Sequence, residues 1–183
     1  EQASAAESPD AEVARVVDLV VAHARKRPSE SLMVVSPSRR HATRVMSAVL
    51  EASVRRPELS AFLTRESWEP FDCVALDHSV ATSRDHVILS LGYGRTAHGR
   101  VLTDFGPLGG PGGEQLLASA LTAARRACRI VTSVGVDDID PARVSGGVVA
   151  FREVLEDIAG ARPPADRDGD GDPMIVDLAE RLG

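Results

Sequence analysis

The sequence predicts an α/β fold, specifically a three-layer α/β/α sandwich built around a mostly parallel sheet. Short continuous apolar runs of strand length, such as 32–35 and 87–91, alternate with segments whose apolar residues recur at helical spacing. Strands that are apolar on both faces are typical of parallel sheets covered by helices on each side. The 183 residues and the hydrophobic content of 43% suit a single packed core.

Each element has its own signal. The first helix follows a start signal at Ser8-Pro9-Asp10 and carries valines at helical spacing. In order, we expect a helix over 9–27, a strand over 32–35, a polar loop over 36–38, a helix through 42–50, a short helix over 57–63, strands over 73–76 and 87–91, a Gly-rich connection over 92–113, a helix over 114–126, a strand over 130–132 and a helix over 148–158.

The chain divides into three expected parts. Residues 1–160 form the α/β domain, 161–173 an acidic linker rich in Pro and Gly, and 174–183 the start of a further helix or domain. The chain begins without Met and ends on LAERLG, which has the pattern of a first helical turn. We therefore expect a piece of a longer protein.

Composition excludes several classes of function. A net charge of −6 argues against a free-standing nucleic-acid binder, although local basic clusters remain possible. No stretch approaches the length of an apolar membrane span. Cys73 and Cys128 each lie in an apolar run, as expected of buried reduced thiols in a cytoplasmic protein. The five histidines show no metal-ligand spacing, and no Ser/His/Asp or Cys/His arrangement stands out.

Three collinear segments resemble a known family. "SLMVVSPSRRHATRV" is similar to the segment that opens the second RecA-like domain of superfamily 1 helicases, in the branch related to the nonsense-mediated-decay helicase. "VATSRDHVILSLGYG" resembles that branch's motif V, and "DFGPLGGPGGEQLLASALTAARR" resembles its motif VI region. The resemblance implies a RecA-like domain of the P-loop NTPase type, whose partners are nucleic acid and an upstream RecA-like domain of the same polypeptide.

Departures from the family pattern bear on ATP chemistry. Val80, Ala81 and Ser83 replace the Gln, Gly and Glu of motif V, while Asp85 is retained. The chain has no Gly-x-x-x-x-Gly-Lys-[Ser/Thr] loop, so ATP and Mg²⁺ are expected only in a full-length motor and no cofactor is expected for this chain alone.

Motif VI departs at its arginines. Ala123 replaces the first arginine of Thr-Arg-Ala-Arg, the one best placed to stabilise a transferring phosphoryl group, so we assign no catalytic residue. If the helix ran to residue 126, Leu117, Ala120, Leu121 and Ala124 would form its buried stripe and Arg125 would lie at the stripe's edge. Arg125 is thus the candidate nucleotide-binding residue. Arg126, one position further round the helix, is expected to be a solvated helix end. The alternative for Arg125 is that it only neutralises the partial negative charge of a helix C-terminus.

The polar loop after the first strand is expected at the carboxyl edge of the parallel sheet, where ligands collect in such folds, and it is the candidate nucleic-acid site. Ser36 and Ser38 are expected to contact backbone phosphate, as the resemblance implies, and Arg39 and Arg40 to extend that contact. Capping of the next helix explains Ser38 equally well, and the arginines, with Arg44, also suit a solvated basic face.

Two further motifs have ordinary alternatives. The Gly-rich stretch 106–113 can be interpreted as a phosphate loop or as a flexible loop. The tail has the ligand spacing of an EF-hand calcium loop, but Pro173 and the shorter side chain at the twelfth position favour an acidic linker. If the loop bound calcium, its candidate ligands would be Asp166, Asp168, Asp170, Asp172 and Asp177.

The function hypothesis is therefore the C-terminal RecA-like domain of a superfamily 1 helicase-like protein, contributing to nucleic-acid binding and to a nucleotide cleft. The alternative is a catalytically inactive pseudo-helicase domain that serves as a structural or protein-interaction platform. A third class, a small enzyme that uses the Gly-rich cleft, would need a titratable cluster that the sequence does not reveal. For the chain alone we expect no ATP hydrolysis and only weak binding of single strands.

Overall fold

The computed structural model describes residues 7–96, 101, 103–161 and 174–177. Among these residues, five α-helices and five strands follow one another along the chain. Their bounds are α1 Asp10–Lys26, β1 Leu32–Ser36, α2 Arg39–Ser53, α3 Pro57–Thr64, β2 Asp72–Ala75, β3 Arg84–Ser90, α4 Gly113–Thr122, β4 Ala124–Thr132, α5 Gly147–Ala161 and β5 Met174–Asp177.

The strands form one sheet in the order β2-β1-β3-β4-β5. The first four are parallel, and β5 pairs antiparallel with β4. Helices cover both faces of the sheet, and the side chains of β1 alternate between the two cores that lie on these faces. Leu32 and Val34 pack with α1, α2 and α3, whereas Met33 and Val35 pack with α4 and α5. The predicted three-layer α/β/α sandwich with a mostly parallel sheet is therefore confirmed.

Helices α1 and α2, which cover one face of the sheet, follow the predicted pattern. The valines of α1 at 13, 16, 20 and 21 are buried, which makes α1 the amphipathic surface helix that the sequence predicts. The first turn of α1 carries Asp10 and its last turn carries Arg25 and Lys26, and charges of these signs interact favourably with the two ends of the helix dipole. Ser38 is the N-cap of α2, as the capping interpretation predicted.

The predicted helix over 114–126 is too long. Helix α4 ends at Thr122, and strand β4 begins at Ala124, so Arg125 and Arg126 lie in a strand and not at a helix end. The physical reason is pairing with β3: Arg84 donates its N–H to the carbonyl of Ala123 at 3.1 Å and pairs with Ala124. This parallel ladder overrides the helix propensity of the Ala and Arg residues. Within α4, Leu117 and Ala120 are buried as predicted.

Residues 174–183 are predicted to start a further helix or domain, and the helix alternative is wrong for the part that the structure describes. Residues Met174–Asp177 form β5, the edge strand beside β4. The backbone groups along the open edge of β4 give this apolar run a hydrogen-bonding partner. Most of the predicted linker, and with it Asp166, Asp168, Asp170 and Asp172 of the candidate calcium loop, lies outside the described residues; Asp177 lies at the end of β5.

None of the described helices is both long and apolar enough to cross a bilayer.

Candidate functional site

The candidate nucleic-acid residues lie where β1 ends, at the carboxyl edge of the parallel strands. Both serines are buried and already hydrogen-bonded. Ser36 Oγ accepts the Ser38 N–H at 3.1 Å, and Ser38 Oγ accepts the His41 N–H at 3.0 Å. Ser38 Oγ also donates to Glu7 Oε1 at 2.6 Å. The serines are therefore at the predicted edge, but they act as turn and cap residues, with a carboxylate of the chain itself on Ser38.

The arginines of α2 lie on the solvent side of the same turn. Arg39 is 68% exposed, and its Nη2 lies 3.1 Å from Asp77 Oδ2. Arg44 Nη2 lies 2.5 Å from Asp10 Oδ1. Arg40 is exposed and makes no ion pair with any residue that the structure describes. We call Arg39, Arg40 and Arg44 the basic turn of α2.

A buried chain of polar side chains lies beneath the basic turn. His41 Nδ1 is 2.8 Å from Ser8 Oγ, and His41 Nε2 is 2.7 Å from Ser90 Oγ. Ser90 Oγ donates to Glu12 Oε1 at 2.7 Å, and Ser133 Oγ donates to Glu12 Oε2 at 3.1 Å. We call Ser8, His41, Ser90, Glu12 and Ser133 the polar chain. It connects α1 and α2 to the ends of β3 and β4.

Burial sets the protonation of this chain. It raises the pKa of Glu12 to about 7, although hydrogen bonds from the Gly92 N–H, Ser90 and Ser133 act in the opposite direction. Burial also lowers the pKa of His41 to about 4, and the positive charge of Arg44 adds to that decrease. Near pH 6 the interior therefore holds a protonated Glu12, whose O–H donates to one of the two serine hydroxyls that donate to the carboxylate form, and a neutral His41, which avoids a buried charge.

The polar chain has the residue types of a serine hydrolase, but its geometry does not suit that chemistry. Ser8 adopts a positive φ of 61° and is only 3% exposed. Its Oγ is engaged by His41 and lies 3.1 Å from Arg44 Nη1. A nucleophile must reach its substrate, and this hydroxyl is covered. The polar chain is therefore a structural connection between helices and sheet.

Sequence reasoning missed the polar chain, although a signal exists. Glu12 has the spacing of the buried residues Val16 and Val20 on α1, and His41 has the spacing of Val45 and Val49 on α2. A polar residue in a core position needs a buried hydrogen-bonding partner, so Glu12 and His41 at these positions predict a buried polar cluster.

Arg125 lies at the opposite, amino edge of the sheet, near the start of β4. Its Nη1 and Nη2 bind both carboxylate oxygens of Glu69, at 2.8 and 2.5 Å, and its Nε lies 3.2 Å from Asp85 Oδ1. Ser31 and Ser83 accept further hydrogen bonds. We call Arg125, Glu69 and Asp85 the arginine clasp. The hydrogen bond from Arg125 lowers the pKa of Glu69 to about 2.

The clasp bears directly on the nucleotide hypothesis. Two carboxylates occupy the positions around Arg125 in which phosphate oxygens would sit, and they would repel a polyphosphate. Arg126 is more exposed and lies 3.5 Å from Glu30 Oε1 and 3.7 Å from Asp85 Oδ1. Both arginines therefore bind internal carboxylates, and Arg125 binds them more closely.

Ala123, which replaces the motif VI arginine, is 6% exposed and belongs to the core between the sheet and α4. A longer charged side chain at this position would be placed in an apolar environment.

The Gly-rich stretch has a packing role. A Cβ on Gly113 would lie 2.0 Å from the Leu108 carbonyl oxygen, and one on Gly147 would lie 2.4 Å from the Gly113 carbonyl oxygen. These glycines let the first turns of α4 and α5 approach at backbone distance. Within the described ranges no group of three or more His, Cys, Asp and Glu residues could hold a metal ion.

Comparison with known proteins gives little. No protein-family model matches the chain, and no curated protein matches it. Among solved structures, the plantazolicin methyltransferase BpumL in complex with a pentazolic desmethylPZN analog and SAH is 11% identical, with a TM-score of 0.36; the match covers 82% of this chain and 65% of that one. The same enzyme with a monoazolic analog and SAH is 10% identical, with a TM-score of 0.34 and coverage of 78% and 58%.

Proposed function

We propose that this chain is the second RecA-like domain of a superfamily 1 helicase-like protein and that it contacts a nucleic-acid backbone through the basic turn of α2. One observation supports the proposal best. The three segments that resemble helicase motifs supply β1, β3 and the α4-β4 unit, and these strands are consecutive neighbours in the sheet. Motifs that act on one ligand must lie close together, and neighbouring strands bring these three segments together.

The chemistry of the basic turn suits a phosphate backbone. Arg39 and Arg40 are exposed at the N-terminal end of a 15-residue helix, where the helix dipole also favours anions. The contact is independent of base sequence, because a phosphate carries no base information. The net charge of −6 opposes this contact with a phosphate backbone, so we expect binding to be weak.

The residues present do not fit a contact to ATP. Ala123 lies in the core, and Arg125 is bound by Glu69 and Asp85. We therefore assign no nucleotide step to this chain, and any ATP and Mg²⁺ site of the whole protein belongs to an upstream domain. The same observation favours our second candidate, a pseudo-helicase domain that keeps the fold as a structural or interaction platform. We place either protein in the cytoplasm, where Cys73 and Cys128, which form no disulfide, stay reduced.

The test is titration of a single-stranded oligonucleotide at two salt concentrations. We expect weak binding that decreases with salt, and a further decrease in the Arg39→Ala/Arg40→Ala variant. The log-log salt slope of that variant should fall by about 0.7 for each phosphate that the arginines no longer neutralise. Arg55→Ala is the control, because Arg55 is exposed beyond the other end of α2. Equal binding by the parent and the double variant contradicts the nucleic-acid proposal and leaves the platform as the better candidate.

A further inference from the structure

Three hydrogen-bonding groups in the first turns of α2 each hold a carboxylate of the same chain. Glu7 accepts from Ser38 Oγ at 2.6 Å, Asp77 binds Arg39 at 3.1 Å, and Asp10 binds Arg44 at 2.5 Å. These carboxylates come from the segment before α1, the 3-10 turn after β2 and the first turn of α1. Anions thus already occupy the surface on which a nucleic-acid backbone is proposed to lie.

Glu7 is the most closely fitted of the three. Its partner Ser38 is buried and caps α2, so the carboxylate lies directly at the helix N-terminus. The backbone of Glu7 forms an antiparallel bridge with Tyr93, just beyond the end of β3. Asp77 and Asp10, in contrast, pair with arginines at the surface: the Arg39 side chain is 68% exposed, and the Asp10 side chain is 92% exposed.

We propose that the Glu7 carboxylate occupies the position of a nucleic-acid phosphate on Ser38 and competes with it, so that the chain masks its own binding surface. A carboxylate and a phosphodiester both offer oxygen acceptors and a negative charge to the same hydroxyl and helix end. The inference rests on the proposed function, because it names the group that regulates that same surface. It also gives a physical reason to expect weak binding by a surface that carries exposed arginines.

The experiment compares Glu7→Gln with Asp18→Asn in the full chain. Both variants remove one negative charge, but Asp18 is exposed and lies two turns, about 12 Å, along α1 from Asp10. At about 50 mM salt we expect Glu7→Gln to bind a single-stranded oligonucleotide about tenfold more tightly than the parent, the size of one charge-assisted hydrogen bond. Asp18→Asn should gain no more than about twofold, since separated surface charges are screened.

A second variant fixes the position of the effect. Ser38→Gly keeps a residue that caps helices acceptably, and in the Glu7→Gln background it should remove most of the gain. Equal gains in Glu7→Gln and Asp18→Asn, no gain in Glu7→Gln, or a gain that survives Ser38→Gly would each overturn the inference. Failure of the proposed function appears differently, as a Glu7→Gln chain whose binding does not respond to Arg39→Ala/Arg40→Ala.

Discussion

Glu12 Oε1 and His41 Nε2 lie 3.8 Å apart, and neither side chain is exposed to solvent. Ser90 bridges them, with its hydroxyl 2.7 Å from each. Burial moves the two pKa values in opposite directions, to about 7 for Glu12 and about 4 for His41. Between about pH 4.5 and 6.5 the unfolded chain carries the proton on His41, and the folded chain carries it on Glu12. Folding therefore relocates a proton within the pair with little net uptake.

Because the proton moves between Glu12 and His41, replacing either residue alone should change how the free energy of unfolding depends on pH. The pKa of Glu12 rises from 4.5 to about 7 on folding, so its contribution is present below pH 4.5 and is lost as the pH rises to 7. The stability of the parent relative to Glu12→Gln should accordingly decrease by about 3 kcal/mol over that window. The measurement is the free energy of unfolding by urea at several pH values.

His41 gives the opposite slope. Its pKa falls from 6.5 to about 4 on folding, so its contribution is present above pH 6.5 and is lost as the pH falls to 4. The stability of the parent relative to His41→Gln should decrease over that window by a similar amount. Subtracting the variant's stability from that of the parent at each pH cancels the contribution of other groups that titrate in the same pH range, such as His23. Two difference curves with the same slope would show that the pair does not share its proton as described.

The layers of the fold follow from the sequence because local pattern and final burial agree there. The continuous apolar run 32–35 is a fully buried strand, and the valine spacing of α1 is its buried face. The end of α4 could not be predicted in this way. Ala124, Arg125 and Arg126 suit a helix locally, and only pairing with β3, some 40 residues earlier, makes them a strand.

The site was less predictable than the fold for the same reason. The sequence correctly places Ser36 and Ser38 at the carboxyl edge, and it marks Ser38 as a cap. The clasp joins Arg125 to Glu69, 56 residues away, and the polar chain joins Glu12 to Ser133, 121 residues away. Such pairs depend on strand order and register, which no local motif contains.

The clasp predicts unequal effects of its two neighbouring arginines. Arg125→Ala removes a bidentate ion pair from Glu69 and leaves two carboxylates side by side, so we expect a loss of about 1 kcal/mol in the free energy of unfolding. Arg126→Ala removes longer, more exposed contacts and should cost less than about 0.5 kcal/mol. Both losses should shrink in high salt. An equal cost for the two variants would contradict the clasp.

Restoring the missing motif VI arginine should damage the fold. Ala123→Arg introduces a charged side chain at a position that belongs to the core, and we expect a loss of at least about 2 kcal/mol without any gain in ATP hydrolysis. Ala118→Arg makes the same chemical change on the exposed face of α4 and should stay within about 0.5 kcal/mol of the parent. The two variants are compared by chemical denaturation and by phosphate release. A stable, ATP-hydrolysing Ala123→Arg chain would refute both the burial argument and the assignment of ATP chemistry to another domain.

The contact between α4 and α5 predicts opposite outcomes for two glycines of one helix. A Cβ at Gly147 would lie 2.4 Å from the Gly113 carbonyl oxygen, and backbone cannot move aside as a flexible side chain can. Gly147→Ala should therefore lower the free energy of unfolding by about 1–3 kcal/mol. At Gly160, near the end of α5, a Cβ would meet nothing within 4 Å, so Gly160→Ala should raise it by about 0.5–1 kcal/mol through the loss of glycine's conformational freedom in the unfolded chain. Thermal unfolding of both variants beside the parent checks the pair: a Gly147→Ala chain as stable as Gly160→Ala would mean that the helix ends are not packed at backbone distance.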